Sequence, residues 1–291
     1  VGRRDQELTY EPLPGESRTI HVYVRYPVAF GETEPAPSVH TRGYPVLAFS
    51  HGDQSVGVSA EALMGFLASH GWVAISVDHT DNLLGANVDP TPQGHWYHRP
   101  RDLSAALDWL EADPALADAD TDRTVIAGHS RGGSTMWSLV GATFDPGSQD
   151  AHCPDCSDAQ LAAFDALADE RMAAGMLLAS TRRTGLFGET GHTTDLPLLM
   201  VTGTEDPIGQ QAFFDEADSL DLTWVDIEDG CHETPTTGLC PTLGAAEGFD
   251  IVNAYALAFA RARVLDDASD EVVGILDGTV EVDPRAALQT R

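Results

Sequence analysis

Thr124-Val-Ile-Ala-Gly-His-Ser-Arg-Gly-Gly133 carries the strongest structural signal in the chain. β-Branched and apolar residues run into Gly-His-Ser-Arg-Gly, and a segment of helical character follows, so the reading is a strand, a sharp turn and a helix. At such a turn Ser130 adopts strained backbone angles, while Gly128 and Gly132, lacking Cβ atoms, let strand and helix pass closely. Ser130 Oγ then stands exposed at the sheet edge, over a helix N-terminus whose amides favour developing negative charge. The competing reading is a Gly-rich turn with an idle serine. The strand before and the helix after are the context that separates the two.

A serine nucleophile needs a base, and the base needs an orienting acid. Residues Leu196 to Thr202 read as a buried strand ending in Gly203-Thr-Glu-Asp-Pro207, which places Asp206 beyond the strand's C-terminal end. A second strand, Leu222-Thr-Trp-Val-Asp-Ile227, ends in Glu228-Asp-Gly-Cys-His-Glu233, making His232 the candidate base. The order Ser130, Asp206, His232 is that of an α/β-hydrolase triad and differs from the orders of chymotrypsin-like and subtilisin-like chains. His192 with Asp195 is a rival pair, but His192 precedes the strand that delivers Asp206. Glu205 is the rival acid. Asp206 is preferred because the following proline fixes the chain and Asp has fewer rotamers to lock.

The oxyanion donors are expected on the backbone. One is the amide after the nucleophile, Arg131; the other lies after the apolar strand Tyr44-Pro-Val-Leu-Ala-Phe-Ser50, in His51-Gly-Asp53, and is assigned to Asp53. An Asp side chain beside a developing oxyanion is unfavourable unless neutralised, and a salt bridge from Arg131 would reconcile the two.

Strands are expected near 19–26, 45–50, 73–77, 124–127, 175–178, 198–202 and 223–227, and helices near 60–69, 101–111, 133–140, 158–169, 209–216 and 245–265. This alternation implies an α/β fold, a mostly parallel central sheet flanked by helices, forming one domain over residues 1–291 with a small cap at 143–169. The Pro-rich stretch 31–43 is a surface loop, and the acidic tail from Asp266 is placed on the surface. His79, Trp96, Tyr97 and His98, after the strand at 73–77, are candidate substrate-pocket residues.

Phe49-Ser-His-Gly52, Ser76-Val-Asp-His79, Arg99-Pro-Arg-Asp-Leu103 and the Gly-His-Ser-Arg-Gly-Gly motif together resemble the secreted "predicted dienelactone hydrolase" group of α/β-hydrolases. Group II platelet-activating-factor acetylhydrolases and cutinase-like polyester hydrolases are related to it. The resemblance spans residues 8 to 265 and implies a serine esterase of short to medium acyl chains, without a cofactor. True dienelactone hydrolases use a cysteine, so Ser130 argues against that reaction. Cutinase-like enzymes carry a tryptophan for an aromatic monomer where this chain has Ser180-Thr181. Lipase, phospholipid acetylhydrolase, aliphatic polyester hydrolase, peptidase and non-catalytic binding module are the alternatives.

With 291 residues and 42% apolar content the chain can bury a full core. Its 46 acids against 16 bases, all arginine, give a formal charge of −30, which repels nucleic acid and anionic membranes and leaves neutral esters, small or polymeric, as favoured partners. A salt-adapted surface or a GC-rich genome would each account for the arginines. No stretch of eighteen apolar residues occurs, and a monomer is expected. Four cysteines allow three complete pairings; a short Cys231–Cys240 bridge beside His232, with Cys153 and Cys156 paired locally or reduced, implies a secreted or periplasmic location. The chain opens at Val1 without a hydrophobic leader, which reads as a mature or trimmed form. Metal is not expected: Cys153-Pro-Asp-Cys156 lacks a second ligand pair, and Asp118-Ala-Asp-Thr-Asp122 lacks the Gly and Glu of a calcium loop.

Overall fold

A computed structural model describes residues 1–291 other than 86–94, 149–152, 155, 183 and 189–190. The described strands form one nine-stranded sheet, ordered β1-β2-β4-β3-β5-β6-β7-β8-β9. Strands β3 (Tyr44–Ser50), β4 (Val73–Asp78), β5 (Ala119–His129), β6 (Met172–Leu178), β7 (Leu198–Gly203) and β8 (Leu222–Ile227) are mutually parallel. β1 (Gly2–Tyr10), β2 (Arg18–Tyr26) and β9 (Ala286–Thr290) run antiparallel at the two edges.

The parallel strands are apolar on both faces because helices cover both. Val46 and Ala48 of β3 pack toward α2 (His95–Ala112) and α3 (Gly132–Leu139), while Leu47 and Phe49 pack toward α1 (Glu61–Ser69) and α7 (Ala245–Val264). Short helices α4 (Asp158–Ala163), α5 (Thr184–Phe187) and α6 (Gln210–Glu216) join later strands, and α8 (Asp270–Asp277) precedes β9. All six parallel strands end at one rim, where open α/β sheets hold their ligands.

Three expectations need correcting. The helix expected at 101–111 starts at His95, so Trp96, Tyr97 and His98 lie in its first turn, not on a loop, and Pro100 sits inside it; a proline removes one intrahelical bond without ending a helix that tertiary packing holds. The helix expected over 158–169 stops at Ala163. Of the segment 143–169, the described residues Phe144, Cys153, Phe164 and Leu167 are buried in the α2/α3 core layer. The tail is not merely surface, since β9 pairs Thr223–Ile227 with Ala286–Thr290 and Leu288 packs against the α1/α7 layer.

Removing residues 280–291 would expose the edge of β8. The expected loss is about 2 kcal/mol, or roughly 4–8 °C in Tm, with greater self-association; calorimetry and light scattering of the truncated chain check it.

Candidate active site

Ser130 sits between β5 and α3 at φ +51°, a conformation rare outside glycine. The crossing that forces it is tight. A Cβ on Gly128 would lie 2.1 Å from the Gly132 carbonyl oxygen, and one on Gly132 would lie 2.1 Å from the Ser50 carbonyl oxygen. The turn is held by the Ser130 amide donating to Leu178 O (3.0 Å) and by Ser180 Oγ donating to Ser130 O (2.9 Å).

The turns after β7 and β8 bring the other two groups together. His232 Nδ1 lies 2.6 Å from Asp206 Oδ2, with the histidine 38% exposed and the aspartate 14%. Glu205, the rival acid, points to solvent, and its amide serves to tie the turn to Gly230 O (2.9 Å). Ser130 and His232 line one cavity of about 150 Å³, with Ala179, Ser180, Thr181, Arg182 and Ile208. The rival His192 packs instead against Trp137 and Phe187.

The salt bridge expected to neutralise Asp53 is present: Arg131 Nε meets Asp53 Oδ1 at 2.8 Å, and Asn82 Nδ2 donates to the same oxygen at 3.0 Å. The Arg131 guanidinium also lies 4.9 Å from the Trp96 ring centroid. His79 and Tyr97 do not line the cavity shared by Ser130 and His232. Both are wholly buried, the His79 ring bonded to Ser50 and Asp102 and the Tyr97 hydroxyl to Glu16. A polar side chain read as pocket lining is here committed to internal hydrogen bonds. His98 lies between Glu16 and Asp81.

Disulfides join Cys231 to Cys240 and Cys153 to Cys156. The first closes the loop that carries His232. In the chain-entropy account such a short loop contributes about 2–3 kcal/mol. Among the described residues, His129, His232 and Glu233 offer ligand atoms within 4.8 Å of one another, the one trio that could converge on a cation. Two of its nitrogens are already engaged. Asp120, from the acidic run that opens β5, is paired with Arg123 and Arg42.

His129 was part of the quoted motif without a role. Its Nε2–H donates to the His232 carbonyl (2.9 Å) and its ring lies tilted with its centroid 4.9 Å from that of the His232 ring, tying the Ser130 turn to the histidine loop. Only its place beside Ser130 signalled it. Burial holds its pKa below the ordinary histidine value.

The Chlorophyllase family model matches residues 35–146, which takes in β3, the 51–53 loop and the nucleophile turn but ends before Asp206 and His232. Esterase LipC of Mycobacterium tuberculosis (strain ATCC 25618 / H37Rv) is 28% identical over 126 residues, 43% of this chain. The match spans 28% of that curated relative's length. A ferulic acid esterase from Streptomyces cinnamoneus superposes with a TM-score of 0.69 at 17% identity, covering 99% of this chain and 96% of its own. The chain has the α/β-hydrolase fold. The expectation of a mostly parallel sheet with flanking helices holds. Among the described residues no helix is long and apolar enough to cross a membrane.

Because the buried His129 resists protonation while the unfolded chain's histidine titrates near its usual value of about 6.5, the unfolded state binds more protons below that pH. The stability this histidine lends is complete above that value and is lost as pH falls below it, by up to about 1.4 kcal/mol per pH unit. His129→Gln keeps an amide donor and removes the titration. Urea denaturation at pH 7 and pH 5 is expected to show a smaller acid loss in His129→Gln than in wild type.

Proposed function

We propose that this protein is a serine carboxylic-ester hydrolase of short to medium acyl esters, working through Ser130, His232 and Asp206. The observation that carries the reading is the 2.6 Å Asp206–His232 bond at the mouth of a cavity that Ser130 also lines. With Nδ1–H donated to Asp206, His232 presents Nε2 as the base. It takes the Ser130 proton as Oγ attacks the ester carbonyl, and the tetrahedral oxyanion rests on the amides of Arg131 and Asp53. Asp206 stabilises the imidazolium that forms. Protonated His232 then hands its proton to the leaving alcohol, and water repeats the sequence on the acyl-enzyme, releasing the acid.

Two features support this over a binding module. The Ser130 backbone is held in a costly conformation that idle turns have no reason to keep. The Arg131–Asp53 pair takes up the one carboxylate next to the proposed oxyanion donors. The matches to proteins named as esterases favour ester over amide substrates. Two disulfides support an oxidising, extracytoplasmic setting.

The cavity is small beside the roughly 300–1,000 Å³ of typical ligand pockets, which favours short acyl groups. A second cavity of about 280 Å³, lined by His192, Phe213, Glu216 and Leu220 among others, also touches Arg182. Arg182, which lines both cavities, pairs with Glu216 of the second. A long acyl chain extending from the first cavity toward the second would meet that pair.

Ser130→Ala is expected to remove p-nitrophenyl ester turnover by at least about 10³-fold with an unchanged circular dichroism spectrum, and a fluorophosphonate is expected to label wild type at Ser130 alone. Retained turnover, or an unlabelled folded wild type, would remove Ser130 from the mechanism. For chain length, acetate and butyrate esters are expected to outpace the octanoate, and Arg182→Ala to raise octanoate turnover about tenfold relative to acetate.

A further inference from the structure

Beneath the loop that carries Asp53 lies a polar chain out of contact with solvent. Ser50, His51, His79 and Asp102 are fully buried, and Arg99 is 1% exposed. Asp102 accepts bonds from Arg18 Nε (2.6 Å), Arg18 Nη2 (3.0 Å), the Tyr10 hydroxyl (2.7 Å) and His79 Nδ1 (2.8 Å). With Nδ1 donating, His79 Nε2 accepts from Ser50 Oγ at 3.0 Å. This is a second serine, histidine and aspartate series in the same molecule. It cannot act on a substrate, because none of its atoms reaches solvent.

The far end of the chain indicates its use. Arg99 donates from Nη2 to Ser50 Oγ (3.2 Å) and to the His51 carbonyl, from Nη1 to Asn82 Oδ1 (3.0 Å) and from Nε to Thr135 Oγ1 (3.3 Å). All four acceptors are neutral. Burial pushes this guanidinium down to about 9, so it is a charge held out of water at a real cost. His51, which Arg99 grips, accepts a bond from the His79 amide at Nε2 (3.1 Å). Its ring proton therefore sits on Nδ1 and is donated to the Gly52 carbonyl at 2.7 Å. The Gly52 carbonyl and the Asp53 amide belong to one planar peptide, so fixing one end fixes the direction of the other. The same bond polarises the amide.

We propose that His51 is a positioning residue of the oxyanion hole: its Nδ1–H sets the Gly52–Asp53 peptide so that the Asp53 amide faces the carbonyl attacked by Ser130, and Arg99 holds His51 in place. The inference rests on the reading of Asp53 as an oxyanion donor. Burial and the Arg99 charge keep His51 neutral, which preserves the tautomer that the geometry needs.

His51→Phe removes both ring bonds, whereas His51→Asn keeps a donor near the place of Nδ1. Losing an oxyanion donor outright costs about 10²–10³ in kcat, so misdirecting one in His51→Phe is expected to cost roughly 30–100-fold in kcat for p-nitrophenyl acetate, with KM within about threefold. Affinity for a trifluoromethyl ketone, whose adduct with Ser130 carries the oxyanion, is expected to fall by the same factor, and His51→Asn to recover most of both. Unchanged kcat and ketone affinity in His51→Phe, with wild-type Ser130 still labelled by fluorophosphonate, would overturn this inference and leave the esterase reading standing. An Asn variant as impaired as the Phe variant would also overturn it. If wild-type Ser130 is not labelled, the parent reading fails instead. Should His51→Phe fail to fold by near-ultraviolet circular dichroism, Arg99→Lys takes its place, with the same paired loss expected and unchanged values counting against the inference.

Discussion

The architecture depends on three backbones passing within van der Waals contact at Gly128, Gly132 and the end of β3. That crossing admits no side chain. It puts Ser130 into the left-handed region and turns its hydroxyl out over the rim, while the β3 carbonyl that closes against Gly132 leads directly into the loop carrying Asp53. The proposed nucleophile and oxyanion donors are therefore set by one contact. The proposed acid and base come from two separate turns further along the sheet, and the parallel register of β7 and β8 makes those turns neighbours. His129 and the Cys231–Cys240 bridge then hold the histidine loop against the nucleophile turn.

Charge is managed differently at the rim and below it. At the rim, Asp53 pairs with Arg131 and Arg182 with Glu216 at the surface. Below the rim, Arg18, Asp102, His79 and Arg99 form a sealed network whose members are fixed by one another rather than by water. Networks of this kind are costly unless every group is satisfied, and when satisfied they hold geometry better than apolar packing does. A loop that must aim an amide gains from such a foundation.

Much of this was legible in the chain because strands β3 to β8 are buried on both faces and read as continuous apolar runs, each followed by a helix. Ser130, Asp206 and His232, the proposed triad, were legible as rim residues because each follows such a run. β1 was not, since Arg3, Arg4, Asp5, Gln6 and Glu7 look like a solvated segment and become a strand only by pairing with β2. β9 was hidden for the same reason: Ala286-Ala-Leu-Gln-Thr290 has no strand preference of its own and is held by the exposed edge of β8. The buried network was hidden by chemistry. Arg99, Asp102 and His79 are types that usually face water, and nothing in their spacing says that α2 begins early enough to carry Arg99 under the β3 loop.

The central claim is that Ser130 carries the acyl group between the two halves of the reaction. The most direct measurement is an acid quench of wild-type protein during turnover of p-nitrophenyl acetate, followed by peptide mass spectrometry. The account predicts one acetyl group on the peptide containing Ser130, absent when His232 is replaced by alanine. Turnover with an acetyl group on another residue, or with no acylated peptide at the burst amplitude, would contradict it.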